Sequence, residues 1–175
     1  MRALRFVAVL AILVGGSAFM GTAAEAGVQQ ADARIRRTSG RPYLGDNVRN
    51  VTGIGQTRTQ VVVGGKKRVV KFDFRCQSEL GAGNLAISAL GAFGPFKVRY
   101  LLAGIDITPS VITPVPPSHT FVGLPENAST PKVQIVVKVK AAADADDLLA
   151  TQLFCNVPGG GQSQNDAVVF RVEVE

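Results

Sequence analysis

Apolar and polar residues alternate along several short stretches of this chain. In residues 69–77 (VVKFDFRCQ), Val70, Phe72, Phe74 and Cys76 share one parity, and the positions between them carry charged side chains. Successive side chains of a β-strand point to opposite faces, so this alternation predicts a strand with one buried face. The same pattern predicts further strands at 57–63, 84–90, 96–102, 121–124, 132–140, 151–157 and 168–174.

Turn residues separate these stretches and indicate how they connect. Gly64 and Gly65 lie between the stretch at 57–63 and the one that includes 69–77, and two glycines at such a position predict a hairpin turn. Prolines interrupt residues 108–119, which predicts an edge segment or a crossing loop, because proline cannot donate a ladder hydrogen bond. Residues 141–150 (AAADADDLLA) could form one helical turn. Seven to eight short strands of this kind predict an all-β, immunoglobulin-like sandwich of antiparallel strands.

Two cysteines, Cys76 and Cys155, are 79 residues apart, and each lies on the apolar parity of its predicted strand. Both sulfurs are therefore expected on the buried side, and two cysteines in an exported protein most often form one bridge. Closing so long a loop would stabilise the fold by about 4 kcal/mol on the chain-entropy model. Metal ligation is disfavoured, because His119 is the only histidine and neither cysteine has a second one nearby. The sequence thus predicts one core disulfide.

The first 26 residues have the pattern of a cleaved secretory signal peptide. Arg2 and Arg5 precede an apolar run at 6–14, and a small-residue stretch ends in Ala24-Glu25-Ala26, an A-x-A-type cleavage site. The apolar run stops at Gly15, well short of the roughly 20 residues that span a bilayer. We therefore expect a secreted protein, periplasmic or extracellular, without a membrane span after cleavage.

Residues 27–47 are rich in arginine, glycine and polar residues, and they predict a flexible basic arm before a domain at 48–175. The chain has a formal net charge of +6, and residues 27–60 hold six arginines against two aspartates. Flexible arginines can bind phosphate, anionic polysaccharide or lipid headgroups, which makes Arg34, Arg36, Arg37 and Arg41 candidate binding residues. The simpler interpretation is a solvated leader between signal and domain.

Four segments resemble the immunoglobulin-like modules of bacterial exported and cell-surface proteins. They are residues 69–77 (VVKFDFRCQ), 96–108 (FKVRYLLAGIDIT), 132–140 (KVQIVVKVK) and 165–174 (NDAVVFRVEV). The resemblance implies a β-sandwich that acts as a spacer or an interaction unit. The antibody-type subclass is not expected, because the chain contains no tryptophan.

No arrangement of residues along the chain indicates catalysis or a cofactor. His119 follows Ser118 in a proline-rich stretch, without the G-x-S-x-G motif of many serine hydrolases. Asp144, Asp146 and Asp147 could offer oxygens to calcium, but the EF-hand pattern is absent, and a solvated loop is the simpler interpretation.

Two hypotheses for function follow. The first is a non-catalytic exported β-sandwich with a structural or protein-interaction role. The alternative is a binding module for carbohydrate or an anionic surface, which would use the arm together with the outward-facing Lys97, Arg99, Lys138 and Lys140. Either a protein or a surface polysaccharide could be the partner. Nucleic acid is not expected, because export removes the chain from it and few aromatics accompany the arginines.

Overall fold

The structure is a computed structural model that describes residues 28–38, 40–91, 94–112 and 118–175. The predicted signal peptide at 1–26 lies outside these residues. Within them the chain is almost entirely β-structure, with a short helix α1 (Thr108–Ile112) and a 3-10 turn (Gln162–Gln164). The ten strands are β1 (Gln30–Arg37), β2 (Thr57–Val62), β3 (Arg68–Glu79), β4 (Gly83–Ala89), β5 (Phe96–Leu102), β6 (Ile105–Asp106), β7 (His119–Leu124), β8 (Val133–Val139), β9 (Leu148–Asn156) and β10 (Asp166–Val174).

Two five-stranded sheets form the two layers of a sandwich. The first sheet has the order β1-β3-β8-β5-β6, and the second has the order β2-β10-β9-β4-β7. Every pair of neighbours is antiparallel except β2 and β10, which are parallel. The all-β sandwich is therefore confirmed, although the described residues contain ten strands instead of seven to eight.

The apolar parity of each strand forms one core between the sheets. Phe72 of β3 and Phe170 of β10 meet across the layers with their ring centroids 5.4 Å apart, and both are fully buried. Burying a side chain of this size contributes about 1.5–3 kcal/mol. Cys76 and Cys155 form the predicted disulfide between β3 and β9, with their Cα atoms 5.8 Å apart. The core disulfide is confirmed.

The predicted flexible arm is wrong over Gln30–Arg37, which form β1. This strand pairs antiparallel with β3 along its whole length, from Gln30 opposite Glu79 to Arg37 opposite Phe72. Its inward positions are Ala31, Ala33 and Ile35, all buried. Two of the three are alanines, so the apolar parity of β1 is small and the arginines dominate its sequence. The folded domain therefore includes part of the segment that was predicted to precede it.

The predicted hairpin at Gly64 and Gly65 is also wrong. The strands on either side of these glycines, β2 and β3, belong to different sheets, so the glycines carry the chain from one layer to the other. Gly64 donates a hydrogen bond to the carbonyl of Glu175, 2.7 Å away, and Gly65 has a φ of 71°. Val62 of β2 packs against the core while Val61 is exposed, and the local pattern does not reveal that the partner of β2 is the C-terminal strand.

The remaining loops agree in part with the expectations. The proline-rich stretch at 108–119 contains α1 and the start of β7, an edge strand of the second sheet, while residues 113–117 lie outside the described part of the chain. The helical turn suggested for 141–150 does not form: turns occupy 141–142 and 145–146, and β9 begins at Leu148.

Candidate functional site

The outer face of the first sheet carries most of the residues that the sequence suggests for binding, in two regions of different character. On β1, Asp32, Arg34 and Arg36 point away from the core, since the positions between them are buried against it. On β5 and β8, Lys97 and Lys138 point outward in the same way. The first region is rich in ion pairs, and the second is not.

Arg34 lies at the centre of a group of carboxylates. Its Nε is 2.6 Å from Oδ2 of Asp32, and its Nη2 is 2.5 Å from Oδ1 of Asp46 and 3.7 Å from Oε1 of Glu79. Glu79 also accepts hydrogen bonds from the guanidinium of Arg49. We refer to Asp32, Arg34, Asp46, Arg49 and Glu79 as the charge cluster. It ties β1 and β3 to the segment that follows β1.

Arg36 is held in a similar way. Its Nε is 3.1 Å from Oδ2 of Asp73, and Thr38 donates a hydrogen bond of 3.0 Å to the other oxygen of that carboxylate. The guanidinium also lies 4.6 Å from the ring centroid of Tyr43, a cation–π distance. Of the four candidate arginines, the structure therefore engages Arg34 and Arg36 inside the domain, where they balance buried acids.

Burial raises the pKa of Asp32 to about 6, against the lowering effect of the hydrogen bond and charge of Arg34. The nearby carboxylates of Glu79 and Asp166 raise it further. Burial also raises the pKa of Asp166, whose oxygens accept hydrogen bonds from the backbone N–H of Ala33 and of Asn50, each at 2.8 Å. Asp32, Glu79 and Asp166 are thus buried near one another, with few arginines among them.

Asp166 joins the two sheets beside the disulfide. Ala33 and Cys76 are partners on β1 and β3, while Cys155 and Asp166 are partners on β9 and β10. The hydrogen bond from Ala33 to Asp166 and the disulfide from Cys76 to Cys155 therefore lie side by side. Each of them joins one member of the first pair to one member of the second, across the two layers. This double link lies directly beneath the charge cluster.

Arg37 and Arg41 have different surroundings. Nε of Arg37 donates to the backbone carbonyl of Thr59 on β2 at 3.0 Å, and Arg58 of β2 donates to the carbonyl of Pro42 at 2.9 Å. Arg41 is exposed. With Thr57 and Thr59 these three arginines line a cleft of about 310 Å³ at the side of the sandwich, where the edges of the two sheets face each other.

Two further clefts continue from this one. A cleft of about 320 Å³ has Arg37, Arg68 and Lys71 among its lining residues. A third, of about 420 Å³, is lined by Lys67, Arg68, Val69, Val139 and three lysines of the outer face, Lys97, Lys138 and Lys140. Because Arg37 is shared by the first two clefts and Arg68 by the last two, the clefts form one series.

We call the cations of this series the basic band. Among the described residues none of them forms an ion pair, and no carboxylate lines any of the three clefts. Lys97 and Lys138 are direct cross-strand partners, an arrangement of like charges that costs roughly 0.2–1 kcal/mol. The members of the basic band are Arg37, Arg41, Arg58, Lys67, Arg68, Lys71, Lys97, Lys138 and Lys140.

Arg99, the fourth outward cation that the sequence suggests, lies outside the band. Its Nε is 3.7 Å from Oδ2 of Asp106, and both side chains are almost half exposed. Hydrogen bonds from Thr108 lower the pKa of Asp106, and the charge of Arg99 adds to this effect. Arg99 therefore forms an ion pair with Asp106, whereas Lys97 acts on that carboxylate through its charge alone and forms no ion pair with it.

The other candidate residues do not converge on a reactive site within the described residues. His119 lies on the edge strand β7, where its ring contacts that of Phe121 at 5.0 Å. Asp147 accepts a hydrogen bond from the backbone N–H of Asp144 at 2.8 Å, which closes the turn that these aspartates occupy. The one group of three carboxylates close enough to share a metal ion, within the described ranges, is Asp32, Asp46 and Glu79. Arg34 already contacts all three.

Sequence reasoning missed the residues that only long-range contacts bring together. Asp32 and Glu79 are far apart in the chain and meet because β1 pairs with β3. Arg58 lies near the start of β2, and Lys67 and Arg68 follow the glycine turn after it, so cations at both ends of this segment were a signal in the sequence.

Comparisons with known proteins give partial likenesses only. No protein-family model matches the chain, and no curated protein matches it. The N-terminal domain of PorA aligns with 83% of this chain and 98% of its own, at 10% identity and a TM-score of 0.47. A family 123 glycoside hydrolase from Clostridium perfringens aligns with 83% of this chain at 14% identity and a TM-score of 0.44, and the chain spans only 27% of that protein. The CooA pilin subunit from enterotoxigenic Escherichia coli aligns with 82% of this chain and 99% of its own, at 7% identity and a TM-score of 0.36.

At these scores the likenesses carry no argument about function, which must come from the surface itself. Among the described residues no helix has the length and hydropathy that a bilayer span requires.

Proposed function

We propose that this protein is a non-catalytic, exported β-sandwich that acts as an interaction module in the envelope or extracellular space, and that the basic band is its binding surface for an anionic partner. The sequence supports export through its N-terminal pattern, and the disulfide suits an oxidising compartment. The resemblance to immunoglobulin-like modules of exported and cell-surface proteins agrees with such a role.

One observation carries the proposal: the cations of the basic band line connected clefts, and no acid is among the lining residues that the structure describes. Elsewhere on the same sheet arginines lie beside carboxylates, so the sequence has acids available for pairing. Two lysines placed directly opposite each other are unfavourable for folding alone, and a bound anion would remove that repulsion.

The test is retention of the exported protein on an anionic matrix as the salt concentration rises. We expect Lys97→Gln combined with Lys138→Gln to elute at clearly lower salt than the native protein, since exposed charge contacts are screened by salt. The matched control is Thr120→Glu combined with Val122→Glu, which changes the net charge equally at exposed positions of β7. Equal losses in both variants would show that net charge alone, and not the basic band, determines retention.

A further inference from the structure

Resting on the proposed function, we propose that the partner is a linear acidic polysaccharide that follows the basic band from the cleft of Arg41 and Arg58 to the cleft of Lys97 and Lys138. The chemical class is a chain of sugars that carry repeated carboxylate groups. The three clefts act as consecutive subsites of one binding path.

The length of the band indicates an extended ligand. From Lys97 on β5 the band crosses β8 and β3 to reach Arg37 on β1, and three strand spacings of about 4.8 Å amount to about 14 Å. It then continues to Arg41 and to Arg58 on β2. A single carboxylate or phosphate fills one cleft, whereas a chain with repeated charges can occupy all three and gains by effective concentration.

The shape of the band disfavours a membrane. The third cleft lies on the outer face of the first sheet, while the first cleft lies at the side, between β1 of one sheet and β2 of the other. A flat bilayer surface cannot contact a face and an adjoining side at once. A flexible linear chain can follow the turn from one to the other.

The lining residues also disfavour nucleic acid. Among the described residues, none that lines the three clefts is aromatic, and single-stranded nucleic acids depend on aromatic side chains for base stacking. Carboxylate groups need only cations and hydrogen-bond donors. Arg37 and Arg58 are suited to this task, because a backbone carbonyl orients each guanidinium and further N–H groups remain for a planar carboxylate.

The experiment compares binding of the exported protein to oligogalacturonates roughly two and roughly twelve residues long, since only the longer chain can bridge the subsites. One variant changes the outer-face end, with Lys97→Gln and Lys138→Gln. Another changes the side end, with Arg41→Gln and Arg58→Gln. Arg41→Gln alone serves as a second side-end variant, because Arg41 is exposed and its loss should leave folding intact.

We expect the long chain to bind at least about tenfold more tightly than the short one, and each end variant to weaken it by about fivefold or more. The affinity for the long chain should also fall more steeply with salt, as it does when a polyanion contacts several cations. The control variant at Thr120 and Val122 should bind the long chain within about twofold of the native protein.

Three outcomes would contradict these expectations. If both lengths bind equally and the side-end variants have no effect, the extended path is wrong, although a simple anion site on the outer face would stand. Tighter binding to anionic phospholipid vesicles or to single-stranded DNA than to the long oligogalacturonate also overturns it. Failure of every anionic probe to bind would instead overturn the proposed function itself.

Discussion

The charge cluster and the basic band show how cations on one sheet can serve different purposes. Around β1 and β3, Arg34 contacts Asp32, Asp46 and Glu79, and its side chain is only 20% exposed. Across β8 and β5, Lys97 and Lys138 face each other without an acid between them. The sequence shows basic residues in both regions, yet the arginine of the charge cluster neutralises buried acids and the two lysines repel each other.

The difference arises from what covers each region. Segment 43–49 lies against the outer positions of β1 and β3, where it contributes Asp46 and Arg49 and places the ring of Tyr43 near Arg36. No comparable contacts of the described residues cover the lysines of β5 and β8. Burial makes pairing obligatory in the charge cluster, because an unpaired buried charge is costly. Exposure leaves the lysines free to bind a partner.

The largest expected effect breaks the charge cluster. Arg34→Met should lower the free energy of unfolding by about 3–5 kcal/mol, because it leaves the buried Asp32 without its cation. Lys138→Met, the matched change in the basic band, should alter it by less than about 0.5 kcal/mol. Denaturant unfolding of both variants at neutral pH measures the contrast. Comparable losses would mean that the two regions do not differ in the way we describe.

Removal of the disulfide should come next in size. Cys76→Ala combined with Cys155→Ala should cost about 2–5 kcal/mol, since it opens a loop of 79 residues and weakens the double link beneath the charge cluster. The measurement is thermal unfolding of the variant beside the native protein, with intact mass under non-reducing conditions to verify the bridge. A variant with unchanged stability would show that the hydrogen bond from Ala33 to Asp166 and the core suffice.

The free energy of unfolding measured at several pH values tests the charge cluster while Arg34 remains in place in the native protein. The pKa of Asp32 is raised from 3.8 to about 6 in the folded protein, so its protonated form is favoured by folding. The resulting stabilisation is fully present below about pH 4 and is lost as the pH rises through about 6, which amounts to about 3 kcal/mol. The native protein should therefore gain that much stability relative to Asp32→Asn between neutral pH and about pH 4. A difference that stays constant with pH would contradict the raised pKa.

Strong alternation explains which parts of the fold could be predicted from the sequence. Large apolar residues mark one parity of β3, β8 and β10, and the cysteines lie on that parity in β3 and β9. β1 escaped prediction because its inward positions are mainly alanines, whose pattern is faint beside the arginines. The parallel partnership of β2 with β10 joins distant parts of the chain, and no local pattern encodes it.

The candidate site depends on register, which is a long-range property as well. Parity alone places Lys97 and Lys138 outward, but only the pairing of β5 with β8 sets them opposite each other. In the same way, the sequence shows an arginine-rich segment, while the pairing of β1 with β3 decides that Arg34 meets Glu79 and that Arg37 reaches β2.

The smallest expected effect is also the one that separates stability from binding. Lys97→Glu places an acid opposite Lys138, so it replaces a repulsion by an attraction and should raise the free energy of unfolding by roughly 0.2–1 kcal/mol. The same change should reduce retention on an anionic matrix, because it puts a negative charge into the third cleft. Denaturant unfolding and salt elution of this variant measure both effects, with Thr120→Glu combined with Val122→Glu as the control of equal charge change. A gain in stability together with a loss of binding is the expected signature of a surface selected for its ligand, because residues placed for function often lower stability. A loss of stability would mean instead that Lys97 contributes to the fold, as Arg34 does.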